Sequence, residues 1–152
     1  MQPTPFQINF HDEIFVDLKN RLAQTRWPDQ APGEEWQFGT SLAYLKDLTN
    51  YWRNDFDWRA QEAKLNRFKH FRVPLAGIDL HFIHEQGIGP KPMPLLLSHG
   101  WPGSILEFHK IIPMLTNPAA YGGDANDAFT VVAPSLPGYT LSFKPNQPRF
   151  GA

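Results

Sequence analysis

The hydrophobic positions of this chain change period near residue 70, and the change divides the chain into two kinds of structure. Before it they fall every three or four residues. Ile14, Leu18 and Leu22 recur at every fourth position, with Phe15 beside Leu18, and Asp12, Glu13, Asp17, Lys19, Asn20 and Arg21 lie between them. This is one apolar stripe on a helix of about four turns. Asp12 and Glu13 in its first turn and Arg21 near its last suit the helix dipole. Trp27-Pro28 predicts its end, because a residue before proline avoids the α region. Asp29 to Gly39 reads as a loop rich in Pro, Gly and acid. A second helix is predicted from a Thr40 or Ser41 N-cap, with Leu42, Leu45, Leu48 and Trp52 as its buried face and Tyr44 and Tyr51 flanking. Asn54-Asp55 ends it. Trp58 to Phe68 reads as a third, shorter helix on the spacing of Trp58, Glu62, Leu65 and Phe68.

After residue 70 the period is two. Phe71 and Val73, a Pro74–Gly77 turn, then Ile78, Leu80 and Phe82 alternating with Asp79, His81 and Ile83 predict a hairpin with one packed face. Leu95–Ser98 predicts a strand buried on both faces, as in a parallel sheet. Ser104 to Leu115 reads as a helix with Ile105, Phe108, Ile112 and Leu115 inward. A turn-rich loop, Asn117 to Ala128, leads to a second buried strand, Thr130–Pro134, and Pro137-Gly138-Tyr139 turns the chain again. Hairpin, strand, helix, strand is the opening of an α/β sheet. Fold class is therefore α/β, with a helical extension over residues 1–66 and the sheet-forming region over 67–152. No internal repeat or low-complexity segment interrupts this reading.

Composition narrows the functions. The 152 residues suffice for one ordinary domain, or for an extension plus part of a larger one. A formal net charge of −1 gives no electrostatic grip on nucleic acid or an anionic membrane. The absence of cysteine excludes disulfides, cysteine nucleophiles and thiolate metal sites. No apolar run approaches the roughly 18 residues of a membrane span. The start, Met1 to Phe6, lacks a basic region followed by an apolar one. A soluble cytoplasmic protein without a membrane anchor is expected.

The densest candidate chemistry is the turn after Leu95–Ser98: His99-Gly100-Trp101-Pro102-Gly103-Ser104. In α/β-hydrolases the loop after the third strand gives a backbone N–H to the oxyanion hole. Gly100 and Gly103 admit close backbone approach, and Pro102 is a candidate for a cis bond. His99 is read as structural, its imidazole bonded to the loop backbone and holding the turn open. Ser98 and Ser104 sit at no nucleophile elbow, and Ser104 is placed as an N-cap. Asp124, in Gly122-Gly123-Asp124, precedes a strand where a nucleophile elbow would follow one, so turn chemistry explains it. His81 and His84, three apart on a strand, project to opposite faces and cannot share a metal. His109 is placed facing solvent, His11 and His70 carry no assigned role, and Tyr139 and Ser142 are candidates for a cavity mouth. No metal-ligand spacing occurs. The Trp and Phe residues before position 70 are read as core rather than as a ligand cage.

Four stretches resemble the microsomal-type epoxide hydrolases. They are Asp57-Trp58-Arg59-Ala60-Gln61-Glu62-Ala63-Lys64-Leu65-Asn66-Arg67-Phe68, Gly77 to His84, the turn His99–Ser104, and Ala133-Pro134-Ser135-Leu136-Pro137-Gly138-Tyr139. The likeness runs from about Phe6 to Tyr139. It implies an α/β-hydrolase fold represented by its first four strands. It also implies a two-step hydrolysis: an aspartate on a nucleophile elbow attacks an epoxide carbon, two lid tyrosines donate to the oxygen, and a His activates water to cleave the ester. The main-chain N–H at Trp101 would be one oxyanion donor, with His99, Gly100 and Pro102 supporting the loop. The implied substrate is a small apolar epoxide, and the implied cofactor and metal content is none. Nothing after Tyr139 forms a small-x-nucleophile-x-small elbow, so the sequence reads as stopping before the nucleophile, base and lid acids. An apolar strand edge left by that truncation is expected to favour self-association. The alternatives are a haloalkane dehalogenase or esterase of the same fold, which Asp57–Phe68 argues against, and a noncatalytic piece that docks with a separate remainder.

Overall fold

A computed structural model describes residues 2–147 and 149, and the chain divides into two compact units, Met1–Ile8 with Ala63–Ala152, and Asn9–Glu62. The first unit is built on five strands: β1 (Thr4–Phe6), β2 (His70–Leu75), β3 (Ile78–Glu85), β4 (Met93–Leu96) and β5 (Phe129–Pro134). Their order is β1-β2-β3-β5-β4, antiparallel except for the parallel β4–β5 pair. The four strands expected from sequence are present in the order of an α/β-hydrolase opening. A fifth, β1, was not expected: residues 4–6 join the sheet from within the segment read as helical extension.

The β2–β3 register is set by a two-residue turn in which Ala76 and Gly77 both have positive φ, 49° and 83°. Such turns match the strand twist. Pro74, expected in the turn, instead pairs with Asp79 inside the hairpin. Its missing N–H is tolerated there because β1 reaches along β2 only as far as Arg72. The packed face also differs from expectation. The fully buried His70, His81 and Ile83 share the face read as polar, whereas Phe71, Val73, Leu80 and Phe82 on the other face are half-buried. Histidines can go inside here because their ring nitrogens find partners, described below.

Two further expectations are corrected. The helix over Ser104–Leu115 is broken into a 3₁₀ turn, Ile105–Phe108, and a short helix α4, Ile111–Thr116. Pro113 is the cause. Its ring would clash with the carbonyl four residues earlier, so a helix can contain it only within the first turn. Ile105 and Ile112 are buried as expected. The strand expected over Leu95–Ser98, covered on both faces, runs instead as β4 over Met93–Leu96 and leaves Met93 55% and Leu96 66% exposed. It pairs with β5 alone among the described residues, so its outer edge and much of its surface lack a neighbour. Strand β5, inside the sheet, buries Val131 and Ala133 completely.

The second unit carries α1 (Asp12–Ala23), α2 (Leu42–Asn54) and most of α3 (Trp58–Leu65). Helix α1 ends before the predicted Trp27-Pro28 stop, and α3 is shorter than its apolar spacing suggested. The Ser41 N-cap is present, its Oγ accepting the Tyr44 N–H at 3.4 Å. Neither α1 nor α2 contains a fully buried residue, contrary to the expected buried face, and Ile14, Leu48 and Trp52 are exposed. So small a unit has too little interior to bury every stripe. What fixes it is aromatic and ionic. Phe15 stacks on Trp58, and Arg59 sits over Phe15 while pairing with both Asp12 and Glu62. Glu62 is buried and also accepts the Phe10 N–H at 2.8 Å. Burial alone would raise its pKa, but the Phe10 N–H and the Arg59 guanidinium outweigh burial and lower it.

Candidate oxyanion turn

The turn is positioned by the last hydrogen bond of the parallel pair, from Leu97 N–H to Val132 O at 2.9 Å. Beyond it the chain leaves the sheet and closes on itself, Gly103 N–H donating to Gly100 O at 2.7 Å. The Trp101-Pro102 bond is cis, as the sequence suggested. Gly103 suits the crowding here: a Cβ would displace the flexible Glu107 carboxylate and sit tightly, at 3.0 Å, against Gly100 O. Gly100 has open space where a Cβ would stand, so the close approach expected of it does not arise among the described residues.

His99 is 4% exposed and its ring is committed at both nitrogens. Nε2 accepts the Leu136 N–H at 3.1 Å, so the proton of the neutral ring is on Nδ1, which faces Gly100 O at 3.3 Å. Tyr139 packs its ring edgewise against the imidazole, centroids 4.8 Å apart. The histidine therefore ties the turn to the segment after β5 and has no nitrogen left for proton transfer. Tyr139, read as a cavity-mouth candidate, serves here as a wall for His99.

Trp101 is the opposite case, 85% exposed. Pro102 has no N–H and that of Gly103 is spent inside the turn, while no acceptor among the described residues takes the Trp101 N–H. A main-chain donor without an acceptor, on a closed turn anchored by a buried histidine, can receive a developing negative charge with little reorganisation.

The remaining candidates fall into structural roles. Ser104 Oγ accepts the Leu106 N–H at 3.2 Å as an N-cap, and Asp124 Oδ1 accepts the Asn126 N–H at 2.8 Å in a turn. Ser98 Oγ reaches only the His99 carbonyl, at 3.4 Å, and His109 is exposed. Ser142 is buried, away from any mouth, and bonds the Ser135 carbonyl at 2.7 Å. A cavity of about 230 Å³ lies within the helical unit, lined in part by Pro28, Trp36, Phe38, Ser41 and Leu45. Trp36 and Phe38 are exposed at its rim, not core as expected. Among the described residues no group of three or more His, Asp or Glu side chains could hold a metal, and no helix is long and apolar enough to cross a membrane.

One group escaped sequence reasoning. His70, given no role, lies beside His81 with Nδ1 to Nε2 at 2.9 Å, and both are buried. Burial, then the neighbouring His70 and Arg72, pushes the His81 pKa down to about 3. Burial lowers that of His70 too, against the opposing Leu65 carbonyl and Glu85 carboxylate. The signal that could have found the pair is the hairpin count: a two-residue turn at 76–77 pairs His70 with Ile83 and Arg72 with His81, which places both histidines on one face.

The strand order, the parallel β4–β5 pair and the turn after β4 define the opening part of an α/β-hydrolase fold. The family profile for the epoxide hydrolase N terminus matches residues 3–108, and the chain belongs to that family. It is 50% identical over 144 residues to a Stigmatella aurantiaca protein that carries an epoxide hydrolase name, covering 95% of this chain and 33% of that one. It is 41% identical over 142 residues to epoxide hydrolase 1 of Oryctolagus cuniculus, covering 91% and 31%. The structure of Aspergillus niger epoxide hydrolase superposes with a TM-score of 0.77 at 32% identity, covering 95% of this chain and 38% of that one. The chain thus spans about a third of the length of the curated relatives it matches.

Proposed function

We propose that this chain supplies the oxyanion turn of an epoxide hydrolase, with the Trp101 N–H as donor and His99, Gly100 and Pro102 as the frame that presents it. The substrate is a small apolar epoxide and the product a vicinal diol. A carboxylate from sequence beyond these residues opens the ring, forming an alkyl–enzyme ester as the epoxide oxygen leaves with a proton from an acid of the lid. Water, deprotonated by a histidine also supplied from beyond, then attacks the ester carbonyl. The tetrahedral intermediate carries a full negative charge on oxygen, and this is what the Trp101 N–H meets. The chemistry requires neither metal nor organic cofactor.

The observation that carries the reading is the Trp101 amide, which has no acceptor among the described residues, on a turn closed by Gly103 N–H to Gly100 O and anchored by His99. Family membership supplies the reaction class. The self-association expected from sequence is kept as part of the proposal: the free edge of β4 offers unpaired backbone groups beside exposed Met93 and Leu96. A cytoplasmic location is likewise kept.

A main-chain donor can be removed by proline. In a longer enzyme that contains this region, Trp101→Pro should lower kcat for ester hydrolysis by about 100- to 1,000-fold, the effect of losing one such donor. Trp101→Ala keeps the amide and should retain most of kcat. The alkyl–enzyme ester should accumulate in the proline variant, visible by intact-mass measurement. Equal losses in the two variants, with no ester accumulation, would mean that the side chain matters and the amide does not.

A further inference from the structure

Three side chains beneath the segment that holds His99 have no part in the reaction proposed above. His70 Nε2 lies 2.8 Å from the Leu65 carbonyl, which can only accept. With both buried rings neutral, His70 Nδ1 is then an acceptor and His81 Nε2–H donates to it across 2.9 Å. That leaves His81 Nδ1 to accept the Ser135 hydroxyl, also at 2.9 Å. A single carbonyl at one end therefore sets the direction of every proton along the row. Ser135 is held by its main chain as well: its N–H donates to His81 O at 2.9 Å. Its carbonyl accepts from Ser142 Oγ at 2.7 Å, and that oxygen accepts the His81 N–H at 2.9 Å. The next residue, Leu136, provides the N–H that His99 Nε2 accepts.

We propose that His81, oriented by His70, is a positioning residue: acting through Ser135 and Leu136, it keeps His99 in the Nδ1–H form and so fixes the turn that presents the Trp101 amide. This inference rests on the donor role given to Trp101 in the preceding section. The Arg72 guanidinium lies over the Phe6 ring, which in turn meets His81 edge to face.

Nitrogen-resolved NMR of the histidine rings in this chain tests it. His70→Leu retains apolar bulk but removes both the acceptor for His81 and the donor to Leu65. Loss of the single tautomer at His81 and at His99, with a shift of the Trp101 amide resonance, is the expected result. His70→Gln, whose amide can both accept and donate, should restore all three signals. Should His70→Leu leave the His99 ring and the Trp101 amide where they are in the wild type, the histidine pair only fills space and the inference is overturned. If that variant does not fold, Ser135→Ala breaks the row at its other end, with Ser135→Thr as the restoring change and the same signals read. In the longer enzyme His70→Leu should lower kcat with KM unchanged. Coupled NMR signals with unchanged kcat would uphold the positioning and overturn the oxyanion role of Trp101 instead.

Discussion

The two units of this chain solve the problem of mixed polar and apolar sequence in opposite ways. The sheet unit buries polar groups and gives nearly every one a partner: His70, His81, His99, Ser135 and Ser142 are all inside and hydrogen-bonded. Arg72 Nε is the one buried side-chain nitrogen or oxygen without a partner among the described residues. The helical unit instead fully buries no apolar side chain among the described residues, and its buried groups are Ser41 and Glu62, the latter in the cluster around Arg59. Hydrogen bonds have direction and apolar contacts do not. A turn with the proposed task of aiming an amide at one point is therefore better supported by the first kind of interior.

That contrast should be sharpest in acid. The His81 pKa is depressed to about 3 in the folded chain against an ordinary 6.5, so below 6.5 the unfolded state binds the proton more readily. Stability is then fully present above pH 6.5 and is lost as the pH falls toward 3, by on the order of 5 kcal/mol for a shift of that size. His70 acts in the same direction, with Arg72 and Glu85 as the charged groups facing the pair. Glu62 in the helical unit has its pKa lowered from 4.5, so its contribution holds above pH 4.5 and disappears only below it. Amide exchange measured residue by residue should show the sheet weakening between pH 6.5 and 5 while α1 and α3 do not. Uniform weakening of both units over that range would erase the distinction.

Single substitutions should separate the units by smaller margins. Ile83→Ala, at a position with almost no exposure in β3, should cost about 3 kcal/mol in urea denaturation of the sheet. A cost under about 1 kcal/mol would show that the interior there collapses to fill the gap. Leu48→Ser on the exposed face of α2 should change stability by no more than about 0.5 kcal/mol. A larger loss would mean that this face is covered in solution.

How far the sequence reveals these arrangements depends on the range of the forces involved. Helix α2 and its Ser41 cap, strand β5 and the Ser104 cap are local, and local spacing discloses them. The break between Ile105–Phe108 and α4 was equally local, written in Pro113, but the apolar spacing across it hides the interruption. Strand β1 is three residues with a proline in the middle, too short to show a period, and its partner lies more than sixty positions away. The exposure of β4 is a property of neighbours and leaves no mark in Leu95–Leu97 itself. His99 could be assigned a structural role because it opens a turn of Gly and Pro. The His70–His81 contact required the hairpin register first, and the alternation of Phe71, Val73, Leu80 and Phe82 drew attention to the wrong face.

Trp101 combines an exposed indole with an uncommitted amide. If the amide does the electrostatic work, the ring above it is under no obligation to that work. Any residue with an N–H can occupy the position, so mutational drift at one codon can reshape what the surface around it admits while leaving the charge-stabilising atom untouched.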